Sequence, residues 1–384
     1  MIRMLTAFTR EIDDIDAAVA EILKPLDLQK QRLKNSVGIL MFHPSFLETG
    51  VIKAVSDALP FDSIGCTTSY LAAPGAIADM MLTVTVLTSD DVAFKAGATG
   101  PIADDPRAPV RELYERLAPP GEKPSLLFTL APILAGVGGD EFVEAIDAAS
   151  GGVPLFGSLA YSHLPDLSGI ATTANGEAYA DRLTLIAMFG EVRPEFFIAT
   201  VPEDKIIHQE AVITQAEGNQ IQRINKLPPL KYLESIGLAE DGNVDGIGST
   251  PLILTLGDGS RVVRNAYKAT DEGYILCYGA TPQDALIGFA NCNAEFVVTT
   301  TRKVIGQAAA SGAGDNALIF SCAGRMFALG LAVEVEMEEI AGRIGASRAW
   351  HCAYSGGEIC PVANRRGELV NRFHNFSMIV CLFG

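Results

Sequence analysis

The stretch that decides the fold is the last one, Ala317-Leu-Ile-Phe320 running into Ser321-Cys322-Ala-Gly324-Arg325, then Trp350-His-Cys352-Ala-Tyr354-Ser355-Gly356-Gly357-Glu358-Ile359, then His374-Asn375 before Ser377 to Phe383. The first apolar run is strand-sized and stops at small polar residues. Between it and the second run, Met337, Ile340 and Ile344 recur at helical spacing. The closing run after His374-Asn375 is again strand-like. The segment therefore predicts strand, helix, strand, strand.

Working outward, the same order appears twice more. Val37 to Phe42 is an apolar run broken by His43-Pro44-Ser45; a helical pattern covers Leu47 to Leu59; Phe61 to Ser69 ends in Cys66-Thr67-Thr68-Ser69; Ala78-Asp79 precedes Met80 to Leu87. In the middle, Leu126 to Leu130 is followed by a helix with Asp140 as its expected N-cap and Phe142, Val143 and Ile146 on one face; Pro154 to Ser162 and Leu183 to Phe189 complete the unit. Two strands joined through a helix should pair in parallel, inside a sheet buried on both faces. The stretch Glu191 to Ser311 breaks the pattern. There Leu252 to Val263 reads as two strands around a Gly-Asp-Gly turn, and Pro228-Pro229 precedes a short helix. The expected class is α/β: duplicated strand–helix–strand–strand units forming largely parallel or mixed sheets, with a more antiparallel second-lobe insertion.

Composition narrows the function. The 384 residues are 48% hydrophobic and 20% charged, as in a well-packed globular protein. A net charge of −17 argues against nucleic acid and against an anionic membrane surface, both of which ask for clustered Lys and Arg. The first sixteen residues lack a signal-like apolar core, and no apolar run approaches spanning length. Seven cysteines without a CxxC pair read as reduced, mostly buried thiols of a cytoplasmic protein rather than zinc ligands.

Open α/β sheets put ligands beyond the carboxyl ends of their strands. Those ends carry Cys66, Thr67, Thr68, Ser69, Tyr161, Cys322, Arg325, Tyr354 and Glu358. Each alone is explained by a turn or a cap. The set in the third copy reads as a site for a small molecule with both a carboxylate and an amine, Arg325 pairing with the first and Glu358 with the second. Cys66 and Cys322 are placed as nucleophiles would be, near expected helix starts, but no histidine is tied to either by a signature, so a thiol-dependent enzyme ranks last. His43, His163, His208, His351 and His374 are the only imidazoles, and without a Cys-x-x-Cys-His site a haem would be held non-covalently. Gly136-Val-Gly138-Gly139 lacks phosphate-loop spacing and reads as a plain loop. Glu334, Glu336, Glu338 and Glu339 read as a solvated acidic helix face.

These residues resemble the FIST family of two-part sensory domains. The resemblance rests on Ile64-Gly65-Cys66-Thr67-Thr68-Ser69, on Glu217-Gly218-Asn219 and Leu227-Pro-Pro-Leu-Lys-Tyr-Leu, and most of all on Phe320 to Arg325, Ser355 to Ile359 and His374-Asn375. Tyr70-Leu71 stand where the family usually has a Gly-Glu pair. The resemblance implies an N-type lobe over 1–195 and a C-type lobe over 196–384. It implies recognition of a small, amino-acid-like ligand without catalysis, no cofactor, and output to a separate signalling protein. The resemblance also implies an alternative, a haem-binding nitric-oxide or gas sensor.

Overall fold

The computed structural model describes residues 1–134, 136–163, 168–239, 250–345 and 348–384, and leaves the side chains of residues 208 and 209 undescribed. Three mixed sheets of six strands and one antiparallel sheet of seven are present among them. Each six-stranded sheet is centred on a parallel pair: Asn35–Phe42 with Ser63–Thr67, Leu126–Ala131 with Leu155–Leu159, and Asn316–Cys322 with Ala349–Ser355. The crossover between the members of each pair runs through Val51–Ala58, Gly139–Ser150, or the two helices Ala323–Leu329 and Val333–Ile344. The expected α/β class is what the chain adopts.

The repeating unit is longer than the sequence suggests. Each copy opens with a further strand and helix: Ile2–Thr9 and Ile15–Leu26, Ala93–Ala98 and Arg107–Leu117, Glu195–Ala199 and Ala294–Ala310. Each also has a hairpin before its last strand: Leu71–Ala73 with Ala76–Ala78, Thr172–Ala174 with Glu177–Tyr179, and Glu358–Ala363 with Leu369–His374. No hairpin stays in its own sheet. The first pairs with Ala349–Ser355, the second with Ser63–Thr67, and the third with Leu155–Leu159. The three copies are thus interlocked in a ring.

Strand parity sorts the side chains into two layers. Ile39 and Met41, Phe128 and Leu130, and Leu318 and Phe320 enter one central core shared by all three sheets. Their neighbours in sequence, such as Leu40, Leu127 and Ile319, pack under the helices outside. This two-sided burial is why the strands read as unbroken apolar runs. Phe128 and Phe156, paired across the second sheet, meet Phe320 of the third with ring centroids 5.7–6.5 Å apart. Gly157 is required where the parallel strands touch, since a Cβ there would lie 1.9 Å from the Thr129 carbonyl oxygen.

Only the segment between Glu195–Ala199 and Ala294–Ala310 departs from the repeat. It folds as the seven-stranded antiparallel sheet with its own core, and Leu252–Thr255 pairs with Arg261–Arg264 across the expected turn. Asp140 does not cap its helix, which begins at Gly139 with Gly138 as N-cap. Its carboxylate instead clamps the inserted sheet, accepting from Arg264 Nη2 at 2.6 Å and from the Ala280 amide at 2.7 Å. Arg264 is buried and also donates to the Phe373 carbonyl at 2.9 Å. The Asn375 amide donates to the Val263 carbonyl at 3.1 Å. These bonds hold the insertion over the third hairpin. No described helix is long and apolar enough to cross a membrane.

Candidate functional site

The carboxyl ends of the second strands of all three copies meet where the hairpins change sheets. The Tyr161 amide donates to the Thr67 carbonyl at 2.9 Å, the Gly356 amide to Leu159 at 3.0 Å, and the Tyr354 amide to Tyr70 at 3.2 Å. The Thr68 hydroxyl donates to the Tyr354 carbonyl. Gly357 makes this crossing practicable, with φ of +153° and a position where a Cβ would strike Phe373 at 2.5 Å. Thr67, Thr68, Ser69, Tyr161, Tyr354 and Glu358 are therefore neighbours, as topology predicts.

Parity divides them. Cys322, Ser355, Ser158 and Glu358 lie on the inner face at the strand ends, Ser158 and Glu358 being cross-strand partners that share that face. Glu358 is sealed from solvent and accepts hydrogen bonds of 2.6 Å from both Ser355 Oγ and Ser377 Oγ. Burial pushes its carboxyl up to about 8, although those hydroxyls and the Cys322 thiol pull the other way. Burial thus favours its neutral acid form over the carboxylate. Burial, and then the Glu358 charge, push the Cys322 thiol far above its usual value, against the backbone N–H groups of Gly324 and Phe376. Cys322 thus has a carboxyl beside it that the sequence alone did not supply, but the two form a thiol–acid pair rather than a thiolate and its base. Cys66 sits mid-strand in the central core, its sulfur 3.7 Å from Met41 Sδ, and burial raises it likewise.

Arg325 and Tyr354 belong to the outer layer. The Arg325 guanidinium is fully buried and its Nη2 lies 2.7 Å from Glu336 Oε1. It also donates to Thr301 Oγ1 at 2.6 Å and to the Val297 carbonyl at 3.2 Å. Tyr354 donates its hydroxyl to Glu336 Oε2 at 2.6 Å, and Ser321 donates to the same oxygen at 3.0 Å. Burial alone would raise Glu336; the Arg325 charge and these donors overcome it and hold the carboxyl below its ordinary value. Glu336 is therefore not part of a solvated face, which corrects the sequence reading of the acidic run. The signal was available: Glu336 falls at i+3 from Val333 and i−4 from Ile340, within the buried stripe of its helix. Glu339 is ion-paired with Arg302 and Arg343, and Glu334 and Glu338 are exposed.

A wetter rim adjoins the inner layer. Burial raises the Tyr161 hydroxyl to about 12, with Cys322, Tyr278 and Asp79 adding to it, so these four share one neighbourhood. Tyr278 comes from the inserted sheet and packs on Tyr267 at 4.8 Å. His43 stacks on the exposed His163 with centroids 5.1 Å apart. Burial lowers His43, Asp79 raises it and His163 lowers it further. Asp79 accepts from the Tyr70 amide at 3.2 Å. Sequence reading missed Asp79, Ser158, Ser377 and Tyr278 as neighbours of the site, because only the hairpin exchange and the insertion bring them there.

Two of the described histidines are built into the core. His351 is buried with its Nε2 2.8 Å from Thr83 Oγ1, and His374 is buried with its Nε2 3.2 Å from the Cys360 carbonyl. Burial lowers both to about 3. His43 uses Nδ1 to accept from the Ser45 amide at 3.2 Å and gives one ring face to His163. His208 lies among the side chains outside the description. A cleft of about 610 Å³ is lined by Thr6, Phe8, Arg10, Glu21, Pro25 and Pro74, with no histidine, cysteine or methionine on its walls. No cluster of three or more potential metal ligands occurs among the described residues.

Comparison with known proteins agrees with the sequence resemblance. Residues 36–226 match the FIST N domain and residues 230–361 the FIST C domain. No curated protein matches the chain. Among solved structures, cyanuric acid hydrolase from A. caulinodans overlaps at a TM-score of 0.37 and 7% identity, covering 99% of this chain and 98% of that one. A second cyanuric acid hydrolase structure overlaps at 0.34 and 9% identity, covering 100% and 99%. Both overlaps are loose, and the fold and site described above stand without them. With the two family domains spanning most of its length, the chain belongs to the FIST family of signal-transduction sensory domains.

Proposed function

We propose that the protein is a cytoplasmic, non-catalytic sensor that binds an amino-acid-like molecule where the three repeats meet and passes its state to a separate signalling protein. The observation that carries this reading is a set of polar atoms without partners. Ser69 Oγ, Ser158 Oγ and Asn375 Oδ1 are each buried at the junction and unbonded. An unsatisfied buried polar group costs about 1–3 kcal/mol, so their gathering at one place points to something that satisfies them. The anchors for a zwitterion differ from those the sequence suggests. With Arg325 committed to Glu336 and Glu358 neutral, the ammonium group falls to Asp79. The carboxylate falls to His43, His163 and the hydroxyls of Tyr161 and Tyr278. All seven cysteines are free and buried, which supports a reducing compartment.

Calorimetric titration of the purified protein with a panel of amino acids and small carboxylates tests this. One member should bind, and Asp79→Asn and Ser158→Ala should each weaken it by about tenfold, the cost of one lost charge-assisted or buried hydrogen bond. A panel without a binder, or Asp79→Asn binding as well as the parent, ends the amino-acid reading.

A further inference from the structure

The turn between helices Ala323–Leu329 and Val333–Ile344 leaves large apolar side chains in water. Phe327 is 71% exposed, Leu331 fully so, and Val335 38%. Glu334, Val335 and Glu338 are neighbouring exposed positions of the second helix, and Leu331 lies in the 3-10 turn Gly330–Ala332 that leads into it. Glu334 and Glu338 are exposed and make no ion pair among the described residues, whereas Glu339, one position on, is neutralised by Arg302 and Arg343. Uncompensated negative charge therefore lies beside the apolar side chains and not elsewhere on that helix. A second copy of the chain would set these glutamates against one another, within a protein of net charge −17.

We infer that this turn is a docking surface for a partner segment that offers apolar side chains flanked by Lys or Arg. Apolar contacts supply the affinity, and the acidic rim selects the partner and speeds encounter. The same helix pair reaches the ligand junction: Cys322, beside Glu358, is the N-cap of Ala323–Leu329, and Arg325 ties that helix to Glu336 on the next. A shift at Cys322 would move Phe327 and Leu331 with it. The role as an output surface rests on the sensory reading; docking itself does not require a bound ligand.

The probe is a synthetic amphipathic peptide with Leu and Phe on one face flanked by Lys, compared with the same peptide carrying Glu in place of Lys, followed by fluorescence anisotropy at low salt. The lysine peptide should bind at least about tenfold more tightly than the glutamate peptide. Leu331→Glu should cost about tenfold or more, and Glu334→Lys with Glu338→Lys should reverse the preference. Leu369→Glu, at an exposed leucine on an unrelated strand, should change nothing. Equal binding of the two peptides, or equal losses from Leu331→Glu and Leu369→Glu, overturns the proposal. So does a dimer in sedimentation that Leu331→Glu dissociates, since a second copy would then be the occupant. Asp79→Asn should leave peptide binding intact, so failure of the ligand reading is seen separately.

Discussion

Glu336 and Glu358 are both cut off from solvent, on opposite layers of the same sheet system, and they behave in opposite ways. Glu336 has a full complement: a guanidinium, a tyrosine, a serine and a threonine, and its carboxyl is held low. Glu358 has two serines and a thiol but no cation, and its carboxyl is pushed up to about 8. Burial is common to both; the presence of an opposite charge decides which is ionised. The difference separates a charge-paired network that ties elements together from an unpaired one beside the proposed binding junction. The charge-paired network around Glu336, in which Arg325 Nε is left unbonded, fixes three helices to two strands. The Glu358 network has no cation and is bordered by the unbonded Ser158 and Asn375, and the proposed ligand reading rests on it.

The comparison breaks most visibly if one partner of the outer pair is removed. Arg325→Ala or Glu336→Ala strands a buried charge and should lower unfolding free energy in urea by about 3–5 kcal/mol. The apolar double variant Arg325→Met with Glu336→Leu should recover at least half of that loss. Equal losses in single and double variants would mean that packing, not charge pairing, dominates there.

The second effect is one of sign. A carboxyl raised in the folded state makes that state bind more protons than the unfolded chain between pH 4.5 and about 8, so its contribution is present at low pH and is lost as pH rises through that window. Glu358→Gln should remove roughly 2–4 kcal/mol of this decline between pH 5 and 8, as read from urea midpoints. Glu336 is depressed, so its contribution is present above the ordinary carboxylate range and is lost as pH falls. Glu336→Gln should flatten the acid side of the profile instead. Parallel profiles for the two variants would erase the distinction.

Smaller changes sharpen it. Tyr354→Phe removes a hydroxyl donated to an ionised carboxylate at 2.6 Å and should cost about 1.5–3 kcal/mol. Ser158→Ala removes a hydroxyl that bonds to nothing and should shift unfolding free energy by less than about 1 kcal/mol, in either direction. A large loss from Ser158→Ala would show that its hydroxyl is already satisfied in the folded protein.

Much of the fold was legible because parallel strands buried on both faces cannot hide: Val37 to Phe42, Leu126 to Leu130 and Ala317 to Phe320 are unbroken apolar runs. The front half of each repeat was less legible. Ala93–Ala98 is only half-buried, and the strands of the first hairpin have three residues each and are built of Ala, Leu and Ile around Pro74-Gly75, too short for any periodicity. The candidate site was legible as a list of residue types at strand ends, but not the layer to which each belongs. Counting outward from Phe320 puts Cys322 inward and Ser321 outward, and the same count puts Tyr354 with the helices and Ser355 with Glu358. Arg325 looked available because its partner, Glu336, stood in a run of four glutamates whose other members lie at the surface or pair there. Asp79 and Tyr278 reach the junction through a strand exchange and an insertion that local sequence does not encode.

The exchanged hairpins set a condition on how the chain is made. During synthesis from the amino end, Leu71–Ala78 emerges long before its partner Ala349–Ser355, and Leu155–Leu159 waits for Glu358–Ala363. Until Ala349–Ser355 and Glu358–Ala363 have been made, two sheets carry an unpaired flank, and unpaired flanks recruit other nascent chains. A fragment that stops before Ala349 should therefore be captured by chaperones or precipitate, and the Glu358–His374 hairpin acts as a latch on the ring of three repeats.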